Sequence, residues 1–376
     1  MTYMKQALNN PFVVYGYKGE EYFCDRRAES IKLIKTLGGE QNVTLSAPRR
    51  MGKTGLIKHI FSKLEAEGIP CFYIDIFPTK SLEDFVNLLA SAVLGKLDSF
   101  SQSALRKINE FFSQWRPTVS LDQLSGMPTV SLDIRKGESE ASLKQIFEYL
   151  KQSDKRCYIA IDEFQQILQY PEKGVEAMLR SYIQFLPNVY FIFSGSQQHI
   201  MEQMFLSSNR PFFQSTSIMQ LSPIDCETYR SFANKWFGEK GLEIDADTFS
   251  KIYDFAKGIT WYIQSILHNI YENPVTEITP NVVNDTILEF VKEQSAAYQN
   301  YCLLFTENQL KLLTAIASEN TVKEPLSATF IRKYKLSASS SVKTALTALM
   351  EKQFISRTAE GYFVTDLFFA CWLRYK

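Results

Sequence analysis

The sequence predicts an α/β chain: a three-layer parallel sheet, then an all-helical region, then a small domain of three helices and a hairpin. Three observations predict it. From Val43 to about Ser222, short continuous apolar runs alternate with longer helical patterns, which is the signature of a parallel sheet covered on both faces. From Pro223 to about Gln299 the pattern turns wholly helical. From Tyr301 to Lys376 three helical stretches precede two short strand-like runs, the order of a winged helix. The expected domains are therefore 1–222, 223–300 and 301–376, and 376 residues suit two or three domains of roughly 100–200 residues each.

The elements follow in order. Val43-Thr44-Leu45, Cys71 to Ile76, Tyr158 to Ile161 and Val189 to Phe193 are continuous and rich in β-branched or aromatic residues, as strands buried on both faces should be. Amphipathic stretches lie between them at Leu56 to Glu65, Leu82 to Leu97 and Ala141 to Gln152. The segment 115–134 breaks this rhythm. Thr118 to Leu121 and Val130 to Leu132 alternate around Gly126 and Pro128, predicting an inserted β-hairpin that is either a decorated loop or a contact for a partner or second copy. Helices are predicted at Asp225–Trp236, Ala246–Ala256, Trp261–Glu272, Asn281–Ala296, Glu307–Ser318, Ser327–Tyr334 and Val342–Lys352. The serines between Ser337 and Ser341 are expected to cap the last of these. Phe354-Ile355-Ser356 and Tyr362-Phe363-Val364 flank Ala359-Glu360-Gly361 as a hairpin.

Composition excludes several classes. Hydrophobic residues at 45% and charged residues at 22% rule out wholesale disorder. The 41 Lys/Arg and 41 Asp/Glu cancel, so no global field draws nucleic acid or an anionic membrane. The closest cysteines, Cys24 and Cys71, are 47 residues apart and no CxxC occurs, so neither a zinc knuckle nor a small disulfide scaffold is expected. Scattered thiols fit a reducing compartment, and a cytoplasmic location is expected. His59, His199 and His268 fall on different segments without metal spacing. The start, MTYMKQALNNPFVVYG, lacks an apolar core behind a basic end, so no signal peptide is read there. No apolar run reaches the ~18 residues of a membrane span, and no membrane partner is expected.

The most informative stretch is Ala47-Pro48-Arg49-Arg50-Met51-Gly52-Lys53-Thr54, followed by Gly55. It fits the phosphate-loop template G-x-x-x-x-G-K-S/T between a strand and a helix, with Ala47 at the first glycine position. Loop N–H groups and the positive end of the following helix can surround phosphates. Lys53 is placed to reach the terminal phosphates of ATP, and the Thr54 hydroxyl to ligate Mg²⁺. Gly52 permits close backbone approach. Downstream, Tyr158-Ile159-Ala160-Ile161-Asp162-Glu163 is a buried strand ending in two carboxylates. Asp162 is the second expected Mg²⁺ ligand, and Glu163 the general base for an attacking water. A third strand ends in Ser194-Gly195-Ser196-Gln197, where Gln197 or Ser196 could reach a γ-phosphate or orient water, a bland turn being the alternative.

With these three strand tips in this order the chain resembles AAA-like ATPases of the AAA+/STAND group, and among them the prokaryotic, archaeal or Bacteroidetes-type families with a Pro-Arg-Arg-x-Gly-Lys-Thr loop. The resemblance implies a P-loop NTPase domain, a helical lid and an appended winged helix. Phe23-Cys24-Asp25-Arg26-Arg27-Ala28-Glu29 looks like the family segment F-x-G-R-x-x-E, with Asp25 for glycine. That likeness implies base contacts near Phe23 and Arg26. Asn209 to Gln214 falls where the family carries an arginine, which implies Arg210 as an arginine finger acting in cis or from a neighbouring subunit. Gly258 to Gln264 resembles a lid sensor segment, but Ile259 and Thr260 replace its His and Pro.

From Leu303 to Lys376 there are ten Lys/Arg against six Asp/Glu, a net of +4. Arg332, Lys333, Lys335, Lys343 and Lys352 could neutralise DNA phosphates. The third helix offers no outward Arg, Asn or Gln for bidentate base reading, so a regulatory domain is expected ahead of a DNA reader. The expected function is an ATP-hydrolysing switch exchanging ATP and ADP, coupled to a protein partner or to self-assembly through the ATPase domain. A DNA-associated ATPase and a scaffold that binds nucleotide without turnover are the alternatives.

Overall fold

Strands β1 (Val43–Ser46), β2 (Cys71–Asp75), β5 (Cys157–Asp162), β6 (Val189–Gly195) and β7 (Ser217–Gln220) form one sheet in the order β2-β5-β6-β1-β7, parallel throughout. These come from a computed structural model that describes residues 8–94, 118–121, 128–131, 137–153 and 155–375. Every residue of β1, β5 and β6 is buried, while the edge strands β2 and β7 are partly exposed. Three of the four continuous apolar runs are inner strands, as two-sided burial requires; the fourth, from Cys71, is the edge strand β2, half-buried at Tyr73 and exposed at Asp75. β7, Ser-Ile-Met-Gln, carries no such run and is absent from the sequence expectation.

The helix Leu82–Leu94 buries Leu82, Phe85, Val86, Leu89, Ala90, Val93 and Leu94, one apolar stripe at helical spacing. Leu97, where the periodicity predicts its end, lies outside the described residues. Between it and the helix Ser139–Gln152 runs the predicted hairpin: β3 (Thr118–Leu121) pairs antiparallel with β4 (Pro128–Ser131), in register Thr118↔Ser131 and Leu121↔Pro128. Pro128 thus opens a strand instead of sitting in the turn. Gly126, Leu132 and the remainder of 115–134 lie outside the described residues. Beneath the ends of β5 and β6, Phe164, Phe193, Phe205 and Phe212 pack with every pair of ring centroids between 4.6 and 5.9 Å.

Packing divides the chain into two units, Tyr15–Ile224 and Asp225 onward, the latter joined by the residues up to Val14. In the second unit the helices Cys226–Phe237, Ala246–Phe255, Thr260–Glu272, Pro280–Glu293 and Ser295–Cys302 precede Glu307–Glu319, Ala328–Lys333 and Ser339–Glu351. Asp225, Asp245, Thr279, Thr306 and Ser327 each accept a backbone N–H at a helix start. The serine run does not cap: Ala338 is the N-cap residue of Ser339–Glu351, without a side-chain bond, and Ser337 Oγ instead bonds Asn308 Oδ1 at 2.7 Å. The backbone enters this helix one residue before the serines 339–341, so they occupy its first turn.

The wing is β8 (Ile355–Thr358) against β9 (Gly361–Val364), antiparallel, with Tyr362 also bridged to Val322. A closing helix, Leu367–Tyr375, buries seven consecutive residues from Leu367 to Leu373. Its unbroken apolar run has no helical periodicity to read, and it too is absent from the sequence expectation. Phe12 inserts its ring among Phe232, Phe237 and Tyr271, with centroids at 6.3, 5.1 and 5.6 Å. His268 Nδ1 lies 2.8 Å from the Phe12 carbonyl, and Asn10 Nδ2 donates to the His268 carbonyl at 3.0 Å.

Candidate nucleotide-binding site

The loops after β1, β5 and β6 emerge side by side at the carboxyl ends of the sheet, where open α/β sheets take their ligands. After β1 the chain turns through Arg50 at φ 67° and Gly52 at φ 94° into the helix Lys53–Ala66. The left-handed turn at Gly52 is cheap only without a Cβ. Arg26, itself buried, donates Nη2 to the Met51 carbonyl at 3.3 Å and Nη1 to the Ser222 carbonyl at 2.6 Å, and pairs with Glu29 at 2.7 Å. Asp25 and Arg26 stand at φ 47° and 65°. A glycine would take that conformation freely, and aspartate is among the residues that tolerate it. Phe23 stacks on His59 with centroids 4.4 Å apart and an interplanar angle of 19°. Tyr17 meets the same ring edge-on and places its hydroxyl 3.0 Å from His59 Nδ1. Burial lowers the His59 pKa, helped by Lys63. A Cβ on Gly55 would sit 3.4 Å from the Phe23 ring.

Lys53 is buried and donates Nζ to the Ala47 and Pro48 carbonyls at 2.8 and 3.1 Å. Burial pushes its pKa down to about 8; Glu163 and Asp162 oppose that and Arg49 adds to it. Asp162 Oδ2 accepts from Thr54 Oγ1 at 2.7 Å and from the Tyr73 hydroxyl at 2.8 Å, while Oδ1 takes the Glu163 N–H at 3.1 Å. Burial raises the Tyr73 pKa far above the usual phenol range, and the Asp162 charge adds to it. Glu163 sits at φ 56°, the N-cap of a short 3-10 helix, Phe164–Gln169. Its Oε2 accepts from Ser196 Oγ at 2.8 Å, Ser196 N at 3.4 Å and Gln165 Nε2.

The loop from Ala47 to Thr54, a paired hydroxyl and carboxylate, and a second carboxylate thus share one end of the sheet. The sequence profile of ATPase domains found predominantly in Archaea matches residues 23–266. The chain belongs to this family. A second profile, a probable winged helix domain, matches residues 296–375. The chain is 23% identical over 279 residues to one ATP-binding protein of Methanocaldococcus jannaschii, covering 68% of this chain and 72% of that one. A second from the same organism is 26% identical over 207 residues, 51% of this chain and 54% of the relative. Among solved structures it is similar to the Walker-type ATPase PABY2304 of Pyrococcus abyssi, with TM-score 0.65, 18% identity, and coverage of 97% and 99%. The ORC2 protein of Aeropyrum pernix, solved as ADPNP-ADP complexes, follows at TM-score 0.59, 13% identity, and coverage of 96% and 95%. These likenesses establish the P-loop NTPase fold. The protein is an ATP-binding, ATPase-domain chain with a C-terminal winged helix.

Against this family frame the other predicted residues divide. Lys53, Thr54, Asp162, Glu163 and Ser196 come together, whereas Gln197 serves as N-cap of the helix Gln198–Leu206 through its backbone. Its side chain makes no hydrogen bond among the described residues. Arg210 ion-pairs with the buried Glu176 at 2.5 Å, and burial raises the Glu176 pKa against the opposing pull of Arg210. Ile259 is the N-cap residue of Thr260–Glu272, and Gln264 is buried with Oε1 unpartnered. Tyr73 and Gln165 are the contributors that the sequence reading missed. Tyr73 reaches Asp162 because β2 lies beside β5, with Tyr73 opposite Ala160 and Asp75 opposite Asp162. Burial also raises the Asp75 pKa.

No helix among the described residues is long and apolar enough to cross a membrane. In the winged helix, Lys333 pairs with Glu319 and Lys352 donates to the Leu304 carbonyl, while Arg332, Lys335 and Lys343 are exposed.

Proposed function

We propose that this protein binds ATP with Mg²⁺ on the loop Ala47–Gly55, hydrolyses it, and works as an AAA+/STAND-type switch whose nucleotide state is passed to the winged helix. The observation that carries this reading is the 2.7 Å bond from Thr54 Oγ1 to Asp162 Oδ2. It sets two hard oxygen donors together beside the buried Lys53. Mg²⁺ is held by one or two protein oxygens plus phosphates in such sites, so Thr54 and Asp162 fit it. When bound, the ion would offset charge on the phosphate oxygens. Lys53 exchanges its loop carbonyls for phosphate oxygens, the loop N–H groups bind the phosphate chain, and Glu163 takes a proton from water. Phe23, with Tyr17 and His59 around it, and Arg26 would flank the base side of the nucleotide. Arg210 would act on a neighbouring subunit once released from Glu176, so specific activity should rise with protein concentration; a flat profile removes this role.

Exposed Arg332, Lys335 and Lys343 favour a second reading, in which the wing region contacts duplex DNA without base specificity. The test is ATP turnover by purified protein, with and without duplex DNA. Glu163→Gln should retain ATP binding and lose about 10²–10⁴ in turnover, the usual weight of a general base. DNA stimulation that falls steeply with salt would promote the second reading. Retained ADP with no turnover would make the chain a nucleotide-binding scaffold.

A further inference from the structure

We infer that Gln165 is the positioning residue for Glu163: its amide, with Ser196, fixes one carboxylate oxygen so that the other faces the reacting water. This rests on the reading of Glu163 as general base. The geometry comes from the end of β5. At φ 56° the chain turns back at Glu163, and the side chain two residues on returns over the carboxylate. Gln165 Nε2 and Ser196 Oγ and N all address Oε2. Oε1 receives no hydrogen bond among the described residues.

Three features mark this as a built arrangement. Gln165 is buried, and its Oε1 has no partner. A buried carbonyl oxygen left unpaired is costly, and turning the amide over would aim that oxygen at the carboxylate. Only the donor orientation serves Glu163. Gly195 supplies the space: a Cβ there would lie 2.3 Å from Gln165 Oε1 and 2.5 Å from Met201 Sδ. Gly195 has no positive φ that would demand glycine, so packing of the amide over the tip of β6 explains its identity. Finally, Phe164, between Glu163 and Gln165, is anchored in the aromatic cluster, so the turn is fixed from below.

The deciding variant is Gln165→Glu, which keeps the shape but replaces the donor with an acceptor carrying charge. A residue that only fills space keeps kcat with this isostere, whatever stability the buried charge costs. A positioning donor does not, and kcat should fall by about ten- to a hundredfold, part of the general-base contribution, with KM for ATP little changed. In the nucleotide-free protein the same variant should melt lower than wild type, and by less in the Glu163→Gln background, where the new carboxylate no longer faces another; a cost from burial alone is the same in both backgrounds. That readout needs no turnover and would survive loss of the hydrolysis reading. Gly195→Ala, which pushes the amide aside, should reproduce the kcat loss.

The Glu163→Gln protein separates the two claims. If it loses turnover while Gln165→Glu keeps wild-type kcat, positioning is wrong and the base assignment stands. Should Glu163→Gln keep full turnover, the base reading falls and the positioning role with it. A rise in kcat for Gln165→Glu would also overturn the proposal, since it would make the amide a restraint. In the Glu163→Gln background, Gln165→Glu should cost no further turnover.

Discussion

Lys53 is a cation held out of water with two carbonyls for hydrogen-bond partners among the described residues. Its pKa of about 8, against an ordinary 10.5, fixes the sign of two predictions. Between those values the unfolded chain keeps a proton that the folded chain has released, so this residue's contribution to stability rises with pH across that window. Below it, the cost of burying the charge is present in full. Lys53→Met should therefore raise the melting temperature of the nucleotide-free protein at pH 7. It should also lower ATP affinity by about ten- to a hundredfold, the worth of one charge-assisted contact of about 1.5–3 kcal/mol. Bound phosphates would restore the proton. Calorimetry at pH 8.5 in buffers of different ionisation enthalpy should show proton uptake on ATP binding by wild type and none by Lys53→Met; equal uptake by both would clear Lys53 of the role. Glu163, bent into the left-handed region, carries strain of about 1–3 kcal/mol that its neighbours must hold.

The elements differ in how far the sequence revealed them. Strands β1, β5 and β6 were legible because burial on both faces writes a continuous apolar run, and the loop and the carboxylate pair attach directly to two of them. β7 escaped because it buries Met219 alone, whereas the other edge strand, β2, buries Cys71, Phe72 and Ile74 and so still shows an apolar run. The closing helix escaped for the opposite reason, being apolar all round from Leu367 to Leu373. The break at Gln294, which ends one helix and starts the next, has no glycine or proline to announce it. In the site, Tyr73 and Gln165 were illegible because their partners arise from strand adjacency and a tight turn, neither of which leaves a local pattern. Arg26, expected beside the base, also donates to the Met51 and Ser222 carbonyls, and these partners, set by the fold, leave no local pattern either. The wing offers a direct test of element geometry. Gly361 sits at φ 140°, and a Cβ there would lie 2.6 Å from the Val322 carbonyl oxygen. Gly361→Ala should cost about 1–3 kcal/mol, read as a lower denaturant midpoint; an unchanged midpoint would mean that the Val322–Tyr362 bridge does not hold the wing.

At the scale of the whole molecule, the helical region and the winged helix pack as one unit, and Phe12 belongs to it. The Tyr262 hydroxyl joins the two regions directly, donating to the Thr365 carbonyl at 3.2 Å and accepting the Leu367 N–H at 3.1 Å. Phe12→Ala should destabilise this unit by about 3–5 kcal/mol, the usual cost of emptying a buried aromatic site. Melting followed at Trp236 and Trp261 of that unit should report it, and a shift under about 1 kcal/mol would show that the Phe12 ring is dispensable.

The attachment of Phe12 also sets an order of events during synthesis. Its ring partners, from Phe232 to Tyr271, are made more than two hundred residues later. On a ribosome Phe12 emerges ahead of the sheet and of its own partners, and finds nothing to bind. The parallel sheet, whose strands all lie between Val43 and Gln220, has its whole sequence available before those helices exist. Domains fold as they are completed, so Phe12, made ahead of the sheet, docks after it.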